Sequence, residues 1–188
     1  MASAFSTTVK RLIILAPILA LFLAPLPAAT LERLSLDDMI AQSTAVVRGK
    51  VIGSYAAFSG PVIYTHYQIQ VSETLKGSAR STVDLMVPGG IANHLRQSFA
   101  GAPQFSPGDE FVFFLWSGKS GNTQVIGLTQ GLFSLSADGA SDPLVTRPAS
   151  REVMLQRGTG QQVKDETLVM HLSELRARVA AASRGALK

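Results

Sequence analysis

Phe111-Val112-Phe113-Phe114-Leu115-Trp116 decides the fold of this chain. An antiparallel strand with one wet face alternates apolar and polar residues, and this run does not alternate. It therefore reads as a central strand covered on both faces. Pro107-Gly108-Asp109-Glu110, directly before it, is turn chemistry rather than a pair of working carboxylates. A cover for its second face is found near the C-terminus. There Leu168, Leu172, Leu175 and Val179 recur at spacings of four, three and four, one stripe of an α-helix. Glu174 and Arg178 form an i,i+4 pair on another side of that helix. Burying each stripe residue contributes about 1.5–3 kcal/mol before ordering costs, so packing rather than propensity holds the helix.

Upstream, the clearest period of two runs through residues 63–72. Ile63, Thr65, Tyr67, Ile69 and Val71 share one face, and Tyr64, His66, Gln68, Gln70 and Ser72 share the wetter one. Val46 to Ile52 is a second β-branched run, with Gly49 and Gly53 marking bends or bulges. Gly60-Pro61 is the turn between the two. Val83, Leu85 and Val87 mark a further strand, which Pro88-Gly89-Gly90 stops. No helix start with Lys-Ser/Thr follows those glycines, so they are a strand exit and not a phosphate loop. In residues 91–107, Leu95 and Phe99 are four apart, which predicts one or two helical turns over 91–99. Gly101, Pro103, Pro107 and Gly108 make the remainder a loop. Inserts of this kind often carry function.

Downstream, short strands are expected at Gln124 to Leu128, Leu132 to Leu135 and Leu144 to Thr146. Gly118 to Asn122 joins the Phe-rich strand to the first of these, and Asp138-Gly139 is the hairpin tip between the last two. Residues 149–166, with Gly158, Gly160, Gln161 and Gln162, read as an exposed mobile linker, and Ser183 to Lys188 as a fraying end. Near the start, Ser35 caps a short helix with Asp37 and Asp38 at its positive end and Leu36, Met39 and Ile40 on its apolar side. The expectation is a mainly β domain of about six or seven strands, an antiparallel sheet closed or nearly closed as a barrel, with a short N-terminal helix and a C-terminal packing helix.

Lys10 and Arg11 precede an apolar run from Leu12 to Leu26, and small residues follow at Ala28 and Ala29. That is the layout of a secretory signal peptide, and the run is short for a membrane span. The expected organisation is a leader over 1–29, a β-barrel domain over 30–148, and a linker with C-terminal helix over 149–188. Export to the periplasm or outside the cell follows, with no stable membrane span after cleavage. The chain carries 17 Lys and Arg against 13 Asp and Glu, and loss of Lys10 and Arg11 leaves 15 against 13, near +2. No basic run remains, so nucleic-acid binding is not expected. The sequence contains no cysteine. Disulfides, thiolate metal sites and thiol chemistry are therefore excluded.

The order of these features carries a family likeness. Ala45-Val46-Val47-Arg48-Gly49-Lys50-Val51 is followed by Val71-Ser72-Glu73-Thr74-Leu75-Lys76-Gly77, then by Phe105-Ser106-Pro107-Gly108-Asp109-Glu110-Phe111-Val112-Phe113-Phe114-Leu115. This resembles uncharacterised exported bacterial domains and, more distantly, netrin-like domains, including the tissue inhibitors of metalloproteinases. The resemblance implies an OB-type barrel over roughly residues 44–117 and a binding role. It implies no inhibitory residue, because those inhibitors use an N-terminal cysteine that this chain lacks.

Candidate chemistry is sparse. His66, His94 and His171 show no metal-binding spacing, so no metal or other cofactor is expected. No Gly-x-Ser-x-Gly elbow occurs, and Ser98 with His94 is an i,i+4 pair only if residues 91–99 are helical. No catalytic residue is assigned. Phe111, Phe113, Phe114 and Trp116 read as core before pocket, since small barrels fill their interiors with side chains. The expected function is a non-enzymatic exported module that binds another exported protein, for example a secreted protease. Its contacts would come from the 57–61 turn and the 89–107 insert, with Phe58, His94, Arg96, Phe99 and Phe105 as candidate interaction residues. The alternatives are a carrier of a small apolar ligand in the barrel mouth and, behind it, a hydrolase.

Overall fold

Strand β7 (Glu110–Ser117) lies between β2 (Ala45–Ser59) and β9 (Leu132–Leu135), and its two faces feed two different cores. Val112 and Phe114 enter one cluster with Val46, Phe133 and Val145. Phe113 and Leu115 enter the other with Val47, Tyr67, Ile69 and Leu85. Residues 29–78, 80–136 and 141–185 are described by this computed structural model. The leader reading, the Asp138-Gly139 tip and the last three residues of the fraying end lie outside them.

Two helices cover the first face. In α1 (Leu36–Gln42) Leu36, Met39 and Ile40 are buried, and in α2 (Leu172–Gly185) Leu172, Leu175 and Val179 are. Ser35 caps α1 in a reciprocal box, its hydroxyl accepting from the Asp38 amide while the Asp38 carboxylate accepts from Ser35. Lys76 donates to the Ile40 carbonyl at the other end. The helical stripe starts one turn later than its spacing suggests. Leu168 belongs to β13 (Leu168–His171), which pairs antiparallel with β10 (Leu144–Arg147), and still packs against the same cluster.

The fold is mainly β and its sheets are mixed, not purely antiparallel. The large sheet runs β13-β10-β9-β7-β2-β3-β4-β8, with β3 at Val62–Lys76, β4 at Thr82–Pro88 and β8 at Thr123–Val125. β8 also pairs with β7, so the pairings β7-β2-β3-β4-β8 return to their start. Strand direction alternates along an antiparallel sequence, and a circuit of five cannot alternate throughout. One pair must be parallel, and it is β4 with β8. β2 bends onto β3 through register shifts at Val46/Val47, Arg48/Gly49 and Val51/Gly53. Gly49 is required at one of them, because a Cβ there would lie 2.7 Å from Ile69 Cγ2 and 2.8 Å from the Gln70 carbonyl oxygen.

Two expectations are corrected. Residues 149–166 are not a loose linker. β11 (Val153–Leu155) pairs with β12 (Gln162–Val163) and, in parallel, with β1 (Thr30–Glu32). Gly158 and Gly160, both at positive φ, lie in the connecting turn. Asp165 fixes the segment to β10 by a bidentate pair with Arg147, at 2.9 and 3.0 Å. Nor is 91–99 helical. β5 (Gly90–Ala92) and β6 (Leu95–Gln97) form a hairpin. Asn93 and His94, at φ 48° and 63°, make its two-residue turn, the left-handed pair that suits strand twist.

Candidate functional site

The β5–β6 hairpin is too short to be stable alone; the β2–β3 arm holds it. The Gln97 carboxamide accepts from the Ile63 amide at 2.7 Å and donates to the Pro61 carbonyl at 3.0 Å. The Gly89 amide donates to the Ile63 carbonyl at 2.8 Å, and Thr65 Oγ1 donates to the Gly89 carbonyl at 2.8 Å. Gly90, at φ +137°, lies so close that a Cβ would sit 2.6 Å from Thr65 Oγ1 and 3.2 Å from Ala56 Cβ. The 57–61 turn and the β5–β6 hairpin are thereby joined into one surface.

That surface shows unusual apolar exposure. Ile91 is 55% and Leu95 59% exposed, on opposite faces of the hairpin, and Phe58 on β2 and Phe99 after β6 are exposed as well. Phe58 is the cross-strand partner of Ile63, the residue Gln97 grips, and the Phe99 ring lies over Gly89. His94 occupies the hairpin turn, and Arg96 is paired across the hairpin with Ile91. A cleft of about 240 Å³ separates the hairpin from residues 98–104, with Arg96, Phe99 and Tyr67 in its wall. Phe105 is the exception among the expected contact residues. Its ring packs edge-on against Tyr67, Phe111 and Phe113 at centroid distances of 4.9, 5.5 and 5.8 Å. Half-buried, it packs against the edge of the second core cluster. Ser98 and His94 are not gathered by a helix, which removes the basis for a serine–histidine pair.

On the outer face of β2-β3-β4, His66 Nδ1 lies 3.0 and 3.1 Å from the two carboxylate oxygens of Asp84. Tyr55 stacks flat on the His66 ring, with centroids 4.6 Å apart and planes 7° apart, and donates weakly to Asp84. Desolvation, together with the Asp84 charge, raises the Tyr55 phenol above its ordinary range, which keeps it a donor. No nucleophile is seen with this group. Among the described residues no cluster of three or more His, Asp or Glu could hold a metal ion. A cavity of about 420 Å³ opens at one end of the pairing circuit, over Ala45, Val47, Val83 and Leu115, with Arg80 and Lys119 at its rim. The interior below is filled by Tyr67, Leu85 and Phe113. Trp116, read as core, is 49% exposed at the end of β7.

No family model, curated protein or solved structure matches this chain, so the netrin-like resemblance gains no support from them. No described helix is long and apolar enough to cross a membrane.

Proposed function

We propose that this chain is an exported, non-enzymatic binding module that engages another exported protein, such as a secreted protease, through the β2–β3 tip and the β5–β6 hairpin. The observation that carries this reading is the moored hairpin itself. Large apolar side chains held in solvent by a two-ended Gln97 clamp lose little entropy on binding, which is how rigid loops serve as anchors. Arg96 lies beside Ile91 on one face of the hairpin, Leu95 stands on the other, and His94 is at the turn between them, so a partner would have to grip the hairpin from both sides. We read the β7-β2-β3-β4-β8 circuit as a five-stranded OB-type barrel. Its strand order and its single parallel pair support that reading, and the netrin-like resemblance is compatible with it.

The test uses the chain without its leader as bait in the exported fraction of its own source. Ile91→Ser with Leu95→Ser should abolish capture of a saturable partner while leaving cooperative thermal unfolding in place, since both side chains are already in water. Capture by the double variant at wild-type level would refute the proposal. A second reading, a carrier of a small apolar ligand, draws on the 420 Å³ mouth and its apolar floor. It predicts a co-purified ligand in native mass spectrometry, and repeated clean spectra dismiss it.

A further inference from the structure

Trp116 is the penultimate residue of β7; the three before it, Phe113, Phe114 and Leu115, are buried, yet half of Trp116 faces solvent. It borders a cleft of about 340 Å³ on the side of the molecule formed by β7, β8 and the end of α1. Gln124 is its direct antiparallel partner across the strands, and Gln42 closes the cleft from the last residue of α1. Leu34, Val125, Ile126 and Gly127 complete its wall. No ionisable side chain lines it.

Two other glutamines use both ends of the carboxamide. Gln97 clamps the hairpin, and Gln130 accepts from the Leu34 amide while donating to the Glu32 carbonyl. Gln42 and Gln124 make no side-chain hydrogen bond among the described residues. Each therefore offers a donor group and an acceptor to a ligand.

The surroundings are preorganised. A Cβ on Gly118 would meet Trp116 Cη2 at 3.0 Å, so the ring lies directly against backbone there. The wall is tied to the core by the Ile126 amide donating to the Phe114 carbonyl and the Gly131 amide donating to the Ile126 carbonyl. Gly127, in the cleft wall, takes left-handed backbone at φ 60°.

We propose that Trp116, Gln42 and Gln124 form a subsite for a neutral saccharide. An indole face takes the C–H-rich face of a pyranose ring, and two free carboxamides match neighbouring hydroxyls. A lining without charge selects a neutral ligand. Single-stranded nucleic acid also stacks on tryptophan, but it needs cations along its backbone, and none lines this cleft. The site is separate from the hairpin surface and stands without it.

Trp116 is the sole tryptophan of the sequence, so its fluorescence reads this site alone. Cellohexaose, maltohexaose and chitohexaose are titrated separately into the full chain, up to about 10 mM. The expected result is a saturable emission change with at least one of them. By calorimetry, Trp116→Ala should weaken that sugar by at least about tenfold, and Gln124→Ala by about three- to tenfold, with thermal unfolding unchanged. Leu95→Ser should bind it as the wild type does. Absence of a saturable change with all three sugars overturns the proposal. So does a sugar that Trp116→Ala and the Gln42→Ala, Gln124→Ala double variant bind with wild-type affinity.

Discussion

Replacing Gln97 by alanine should release the β5–β6 hairpin without unfolding the sheet. Gln97→Ala removes the acceptor of the Ile63 amide and the donor to the Pro61 carbonyl. The two losses are unequal. Pro61 is exposed and water replaces the donor, whereas Ile63 is fully buried and its amide is left without its acceptor. A stranded buried amide costs about 1–3 kcal/mol. The Gly89–Ile63 and Thr65–Gly89 bonds remain, so the cost falls on a local opening and not on the whole fold. Native-state hydrogen exchange at residues 91–96 should then quicken by about fivefold to about 150-fold. The amides of β7 should be unaffected. Gln97→Glu keeps the acceptor and should lose at most about 1 kcal/mol. Hairpin exchange in Gln97→Ala equal to that of the wild type would refute the clamp and, with it, the view that the exposed apolar residues are rigidly displayed.

Three further outcomes follow from the packing. Arg147 and Asp165 have side chains only 3% and 1% exposed, so Asp165→Ala should cost about 3–5 kcal/mol in denaturant unfolding by leaving an uncompensated buried guanidinium; a loss below about 1 kcal/mol would contradict the pair's structural role. Phe105→Ala should cost about 3 kcal/mol because its ring packs against the second cluster, whereas Phe99→Ala should leave thermal unfolding nearly unchanged. Acid should destabilise the fold. Bonds from Arg176 hold Glu73 below its ordinary value, those from Ser35 do so for Asp38, and those from Ser173 do so for Asp142. At Asp165, burial pushes the carboxyl upward, but the Ser150 amide, Arg147 and the Glu166 amide outweigh it, and the net direction is down. Carboxyls depressed in the folded state contribute fully above their unfolded values, 4.5 for Glu and 3.8 for Asp, and lose that contribution as pH falls through the folded ones. Unfolding free energy measured from pH 7 downward should therefore decline below about pH 4.5; a flat profile to pH 3 would count against these contacts.

The β7 run was legible because two covered faces leave a signature that one strand carries by itself. The same holds for the alternation in β3 and the capping box at Ser35. What the sequence concealed was set by distant partners. Leu95 and Phe99 fall at helical spacing by coincidence, and the hairpin exists because Gln97 reaches back 34 and 36 residues to Ile63 and Pro61. Gly89-Gly90 followed by Asn93 was the available local signal. Residues 149–166 have the composition of a linker, and what orders them comes from elsewhere in the chain: β1 pairs with β11, and Arg147 grips Asp165, 18 residues on. Phe105 sits among prolines like a loop residue, yet its partners Tyr67 and Phe113 arrive from other strands. Trp116 continues the apolar run in the sequence, although β7 leaves the core one residue earlier.

Site-directed photo-crosslinking at the hairpin is the most direct measurement of the central claim. A benzophenone amino acid replaces Leu95 in one sample and Val169, equally exposed on β13, in another, and each is irradiated with the exported fraction. The account predicts one discrete adduct from position 95, displaced by excess unlabelled chain, and none from position 169. No adduct from position 95, or equal adducts from both, would contradict it.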